Sequence, residues 1–153
     1  MKKANWRIFF ICLIIVYAIA FIGSLFTSID NGWYESIKPS LTPPSFVFPI
    51  VWNILFLLIA ISLYIAWINS KKNDRKKIII VFGINLILNA LWSFLYFKLQ
   101  NPIFAFIDLV LIWLTIVAMI VVTYKIKKSS AHLLIPYLLW VSFAGILNWM
   151  SIR

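Results

Sequence analysis

Five runs of apolar residues divide the chain, at about 8–26, 49–68, 78–99, 103–124 and 132–151. Each is close to the ~20 residues a helix needs to cross a hydrocarbon core about 30 Å thick. Within lipid every backbone amide must be paired inside its own segment, so these runs predict helices. The alternating pattern of roughly ten residues that marks a membrane β-strand is absent. The expected fold is an all-α integral membrane protein, one domain over residues 1–153 built as a bundle of five transmembrane helices. Four connections are short, which predicts that consecutive helices pack as antiparallel neighbours. No internal repeat pairs the runs, in contrast to many secondary transporters.

The first connection, 27–48, is the exception, and it holds Trp33, Tyr34, Pro39, Pro43, Pro44 and Phe46. Loops of this length are uncommon and are often lids or binding loops. Pro43-Pro44 removes two donors and fixes the backbone, which predicts an extended, restrained segment. Trp and Tyr also favour the membrane interface. Two readings therefore stand side by side, an interfacial anchor and a lid over a cavity in the bundle.

Composition supports the membrane assignment: 64% of residues are hydrophobic, 12% are charged and mean hydropathy is +1.01. A soluble domain carries about 25% charged residues to wet its surface. The formal charge of +10 raises nucleic acid as a partner, but its distribution argues against that. Eleven Lys and Arg fall at the N-terminus and in the second and fourth connections: Lys2, Lys3, Arg7, Lys71, Lys72, Arg75, Lys76, Lys77, Lys125, Lys127 and Lys128. The other side has only Lys38, Lys98 and Arg153. Such a bias places the N-terminus in the cytoplasm and the C-terminus outside a cell membrane, and draws the basic end to anionic lipid. The first run is longer than a signal-peptide core and no A-x-A site follows it, so it reads as a retained helix.

Inside the spans, the polar residues indicate which faces turn inward. At 100° per residue, Asn85, Asn89, Trp92 and Tyr96 fall within about 60° on the third helix. On the fifth, Tyr137, Trp140, Ala144, Asn148 and Ser151 fall within about 80°. Asp108, Ile112, Thr115 and Met119 share a face of the fourth helix, as Trp52, Phe56, Leu63 and Trp67 do of the second. By depth, Trp52, Trp92, Tyr96, Asp108 and Asn148 lie in the outer half, with Asn89 and Trp140 near the middle. Polar groups in an aromatic wall beneath the long loop describe a small-molecule pocket. Asn85 and Asn89 also suit plain interhelical hydrogen bonds. Asp108, the only acid within a span, suits pairing or reach to the interface as well as ligand binding. Trp6 and Trp67 read as interfacial belt residues, Trp113 lies off the inward face, and Pro136 predicts a local break in the fifth helix.

The sequence holds little that carries chemistry by itself. Cys12 sits in an apolar run and has no partner for a disulfide, and His132 is the only histidine. No Cys/His cluster offers a metal site, and no phosphate-binding loop, dinucleotide fingerprint or Ser/His/Asp set is present. No built-in cofactor is expected, and any chemistry would come mainly from a bound molecule.

Several motifs together resemble the tryptophan-rich sensory protein/translocator protein family, also called peripheral benzodiazepine receptors. Trp33-Tyr34, Lys38-Pro39-Ser40, Pro43-Pro44, Phe48-Pro49 and Trp52 resemble its first loop and second helix. Asn89 and Trp92 resemble its third helix, and Asp108 its fourth. Leu133-Leu134, Pro136-Tyr137-Leu138, Trp140, Phe143-Ala144 and Leu147-Asn148 resemble its fifth. The resemblance covers almost the whole chain. It implies a five-helix bundle, commonly a homodimer, that binds porphyrins and haem-like tetrapyrroles for sensing, scavenging or transport. By motif, Trp52 and Trp140 would flank the ligand, with Trp33, Tyr34, Pro43, Asn89 and Ala144 lining the pocket that the depth argument had already given Trp92 and Asn148. Some members are linked to light-dependent porphyrin breakdown, in which case Trp52 and Trp140 would be catalytic and porphyrin the substrate. A structural membrane subunit without a ligand is the third reading. Animal members also bind sterols, but this chain has Leu147, Trp149 and Arg153 where the sterol pattern needs a central Tyr, which speaks against sterol.

Overall fold

The computed structural model describes residues 5–29 and 32–152; Lys2, Lys3 and Arg153 of the charge argument lie outside them. The described residues form helices and no strands. In chain order these are α1 (Trp6–Ser24), α2 (Gly32–Ile37), α3 (Val47–Asn69), α4 (Lys72–Ser93), α5 (Pro102–Ile126), α6 (Lys128–His132) and α7 (Ile135–Met150). A π-helical turn, Phe94–Lys98, continues α4. Five spans are long and apolar enough to cross a membrane, the third being α4 with its π-helical turn and the fifth combining α6 and α7. The protein is therefore a multi-pass helical membrane protein, as its sequence predicts.

Local chemistry sets the helix ends. Asn5 caps α1, its Oδ1 accepting from the Ile8 amide at 3.3 Å. Asn101 caps α5 in the same way, accepting from Phe104 at 3.0 Å, and Pro102 fills the first helical position, where a missing N–H costs nothing. Between the π-helical turn and α5 the chain reverses at Gln100, whose φ of 51° is left-handed. α4 begins inside the basic cluster, at Lys72 and not near residue 78, so the charged residues wind as helix beyond the apolar stretch. Arg75 there lies over the Trp67 ring, 5.0 Å from its centroid. The fifth span breaks at Leu133-Leu134, just ahead of Pro136, which has no N–H to return to the preceding turn.

The packing order departs from simple neighbour-to-neighbour succession. α1 packs on both α3 and α4, α4 on α5, and α5 on α7. The consecutive helices α3 and α4 touch only slightly, because α1 lies against both. α1 and α4 come close at Gly23, where a Cβ would sit 3.4 Å from the Ala90 Cα, room for a methyl and little more. At the basic end α3 and the fifth span are locked by two serines. Ser62 Oγ donates to the Ser130 carbonyl at 2.9 Å and Ser130 Oγ donates to the Ser62 carbonyl at 2.7 Å, both buried. At the loop end, the ring contacts between α3 and α7 include Trp52 with Tyr137, 6.3 Å between centroids. The bundle is thus tied at one end and spread at the other.

Apolar side chains line the tied end, among them Val16, Ile59, Ala60, Ala66, Ile78, Ile116 and Met119. Many large ones face outward instead, including Phe10, Phe21, Ile54, Ile87, Ile107 and Leu139. Lipid is as apolar as leucine, so van der Waals fit and interhelical hydrogen bonds must hold such a bundle.

The long first connection is not simply extended. Residues 32–37 form α2, after which the Thr42 amide donates to the Pro39 carbonyl and the Val47 amide to the Pro44 carbonyl, about 3 Å each. Prolines restrain the second half, as expected. Trp33 and Tyr34 dock the first half on the end of the third span, through Tyr96 at 5.6 Å and Phe97 at 5.7 Å.

Candidate functional site

Beneath the loop, the spread end of the bundle forms a half-open chamber of about 660 Å³, within the range of small-molecule pockets. α3 contributes Trp52, Asn53 and Phe56, and α4 with its π-helical turn contributes Asn89, Trp92, Ser93, Tyr96 and Phe97. From α7 come Trp140, Val141, Ala144, Leu147 and Asn148, and from α5 come Leu109 and Ile112. The loop adds Tyr34, Pro39, Thr42 and Ser45, and the first turn of α3 adds Phe48. Among the described lining residues none is charged.

Rings dominate the wall. Trp52 stacks on Phe56 with centroids 5.4 Å apart and planes inclined at 29°. Trp140 meets Phe48 edge-on at 5.9 Å and Phe143 at 5.6 Å. Trp92 stacks on Tyr96 at 4.9 Å and 18°. A π-helical turn adds a residue to the winding and shifts the side chains after it; here it carries Tyr96 and Phe97 to the chamber and under the loop.

The amides and phenols of the wall are largely engaged with one another. The Tyr137 hydroxyl donates to Asn85 Oδ1 at 3.1 Å and accepts from Asn89 Nδ2 at 2.6 Å. Asn85 Nδ2 in turn donates to Thr115 Oγ1 at 2.9 Å. Trp92 Nε1 donates to Asn148 Oδ1 at 3.0 Å, and Asn148 Nδ2 to the Pro102 carbonyl at 2.9 Å. Tyr96 and Ser151 share a hydrogen bond of 2.9 Å. The polar stripe of α4 is thus zipped to that of α7, and the interhelical role weighed for Asn85 and Asn89 is the one both perform. Asn89 also borders the chamber, where its Oδ1 has no hydrogen-bond partner among the described residues.

Of the nine ligand-site candidates, Tyr34, Trp52, Asn89, Trp92, Trp140, Ala144 and Asn148 border the chamber. Two do not. Trp33 packs edge-on against Tyr96, and Pro43 borders a smaller polar recess nearer the loop surface, shared with Tyr34. Both were placed by motif, which fixes the loop's neighbourhood but not the direction of each side chain. Asp108 neither pairs nor reaches an interface: it is buried, and neither carboxyl oxygen has a partner among the described residues. Trp140 Nε1 is also buried, without a hydrogen-bond partner among the described residues. Trp113 is exposed, as its position off the inward face predicts, and its Nε1 donates to Ser142 Oγ at 2.9 Å.

The sequence reading missed α1 altogether. Tyr17, Ala20, Gly23 and Ser24 line the chamber, and the Tyr17 hydroxyl donates to the Asn53 carbonyl at 3.0 Å, tying α1 to α3. The small residues Ala20, Gly23 and Ser24 at spacings of three and four were the available signal. Outside the spans, burial pushes the Tyr34 phenol above its ordinary pKa, with the neighbouring Tyr96 and Glu35 adding to the shift.

The sequence model of the TspO/MBR family matches residues 10–153. A tryptophan-rich protein TspO of Chlorobaculum tepidum is 38% identical over 146 residues, covering 94% of this chain and 92% of that one. A second, from Archaeoglobus fulgidus, is 42% identical over 139 residues, 90% of either chain. The human translocator protein is 31% identical over 134 residues, 84% of this chain and 79% of its own.

Proposed function

The chain belongs to the TspO/MBR family, and from that premise we propose that it is a membrane receptor or carrier for tetrapyrroles, held in the chamber beneath the first loop. The observation that carries this reading is the indole-walled space of about 660 Å³, with no charged side chain among its described lining residues. A porphyrin is a large flat ring, and offset stacking on Trp52 and Trp140 adds roughly 0.5–1.5 kcal/mol per pair beyond area burial. Asn89 Oδ1 offers an acceptor to a polar hydrogen of the ligand. The protein sits in the cell membrane with its basic end in the cytoplasm. That orientation is supported by Arg7, Lys71, Lys72, Arg75–Lys77, Lys125, Lys127 and Lys128 at one end of the bundle, against Lys38 and Lys98 at the other.

Free-base protoporphyrin added to the purified protein is expected to quench tryptophan fluorescence saturably. Replacing Trp52 and Trp140 together with Phe keeps the rings but shrinks the stacking area, and is expected to weaken binding about tenfold. An unchanged Kd in the double variant would refute the chamber as the site. Two oxidisable indoles in the same wall also favour a second reading, light-dependent oxidative breakdown of the bound porphyrin. Under illumination in air, the native protein would then bleach porphyrin faster than the double variant and than porphyrin alone; equal rates would leave binding as the function.

A further inference from the structure

The polar recess beside the chamber has a chemistry that the chamber lacks. It measures about 140 Å³ and is lined by Ile29, Tyr34, Glu35, Lys38, Pro43 and Ser45. Ile29, Tyr34 and Ser45 also line the chamber, so the two spaces adjoin through a shared wall of three residues. At about a fifth of the chamber's volume, the recess is too small for a ring system and is on the scale of one or two carboxylates with their hydration. Lys38 supplies its positive charge, and its backbone amide is bonded to the Tyr34 carbonyl at 3.0 Å, which fixes the lysine one turn from the residue that borders both spaces.

We propose that this recess is a carboxylate subsite, in which Lys38 receives the ionised carboxylates of a flat amphipathic ligand whose ring fills the chamber. The proposal rests on the tetrapyrrole reading above and narrows it to acidic tetrapyrroles. Its main support is electrostatic. A carboxylate drawn into the chamber would meet no counter-charge among the described lining residues, and an ionised carboxylate buried without a partner is strongly disfavoured. The ligand must then lie with its acidic edge toward the loop, where the recess offers a cation.

Lys38 is available for this exchange. Its Nζ lies 3.3 Å from Glu35 Oε1 and 3.4 Å from Oε2, and both side chains are well exposed, at 38% and 63%. An exposed pair of this kind is worth little, so a ligand carboxylate displaces or shares Glu35 at small cost. Glu35 then acts as a built-in competitor: it holds the lysine in place when the chamber is empty and opposes an anion when one arrives. The two residues have opposite signs of effect on an acidic ligand, and neither acts on a neutral one.

The test uses the full-length protein in lipid nanodiscs at low salt, titrated with protoporphyrin and, separately, with its dimethyl ester, which keeps the ring and removes both charges. Lys38→Gln is expected to weaken protoporphyrin binding about threefold and Glu35→Gln to tighten it about twofold, the scale of an exposed ion pair. Neither should change the Kd of the ester. Added salt should shrink both effects on the acid. Equal Kd values of Lys38→Gln and native protein for the acid would overturn the subsite while leaving ring binding in the chamber intact. Equal losses for acid and ester would also overturn it, by showing that Lys38 acts through the fold of the loop. Saturable binding of neither form by the native protein would remove the tetrapyrrole reading and this inference with it.

Discussion

Tyr137→Phe removes one oxygen from the centre of the bundle and tests what holds α4 to α7. The side chain is wholly buried, so the ring stays packed and only the hydroxyl is lost. That hydroxyl closes two bonds, to Asn85 Oδ1 at 3.1 Å and from Asn89 Nδ2 at 2.6 Å. Interhelical bonds in membranes average about 0.6 kcal/mol, so the pair is worth about 1.2 kcal/mol. The two former partners then differ. Asn89 borders the chamber and can turn toward water or ligand. Asn85 is buried, and its Nδ2 remains fixed on Thr115 Oγ1 at 2.9 Å, so its Oδ1 is stranded. A buried acceptor without a donor costs roughly 1–3 kcal/mol, and the expected total is about 2 kcal/mol. Reversible unfolding in mixed micelles by titration with a denaturing detergent reads this directly. A double-mutant cycle with Asn85→Ala should recover about 1 kcal/mol, because that change removes the stranded acceptor. A loss under about 0.3 kcal/mol, or strictly additive effects, would show that the network is geometry without energy.

Three other expectations follow from the same packing. Gly23→Ala should fold normally, since the new Cβ meets Ala90 Cα at 3.4 Å, an ordinary contact, and should gain up to about 1 kcal/mol of helix propensity. Gly23→Leu has no such room and should push α1 from α4, lowering the melting temperature and the affinity for any ligand in the chamber, both measurable on one purified sample. Ser62→Ala and Ser130→Ala each remove one of the two bonds and leave the other, whose acceptor is a backbone carbonyl; detergent unfolding should show the double variant costing the sum of the singles to within about 0.5 kcal/mol. Gly145→Ala would bring its Cβ to 3.2 Å from Leu109 Cδ2, the movable end of a chamber-lining side chain. Its effect should therefore appear in the affinity for a ring-shaped ligand more than in stability.

The spans and their inward faces were legible because lipid penalises polar groups so heavily that one Asn or Trp at helical spacing identifies a face. Asn85, Asn89, Trp92 and Tyr96 on α4 and its π-helical turn, and Tyr137, Asn148 and Ser151 on the fifth span, meet as that rule requires. α1 escaped because it is apolar nearly all round, so no stripe stands out, and its part in the chamber comes from small residues, whose signal is the absence of bulk. α2 escaped because the loop's prolines drew attention to its second half, whereas residues 32–37 carry no proline and wind freely. The π-helical turn has no sequence signature of its own; it becomes visible only when Tyr96 and Phe97 must both reach inward from adjacent positions. The separation of α3 from α4 is a property of the whole bundle and is encoded in no local pattern.

An open chamber inside a close-packed bundle needs a reason not to collapse, since lipid-exposed helices gain dispersion energy by closing on one another. The rim supplies it. Directional bonds fix helix spacing around the space at Tyr17–Asn53 for α1 and α3, Trp92–Asn148 for α4 and α7, Asn148–Pro102 for α7 and α5, and Tyr96–Ser151 near the loop. None joins α3 to α7, and there the contact is between rings: Phe48 edge-on to Trp140 and Trp52 edge-on to Tyr137, with centroids about 6 Å apart. Ring edges can slide at little cost, whereas a hydrogen bond in lipid must be exchanged or lost. The side of the chamber between α3 and α7 is therefore the one expected to yield if the chamber takes a ligand, and it is the side on which both Trp52 and Trp140 sit. The two indoles that the stacking argument selects thus lie on the side of the wall held by ring contacts alone, while the amides that looked equally functional in the sequence form its hydrogen-bonded frame.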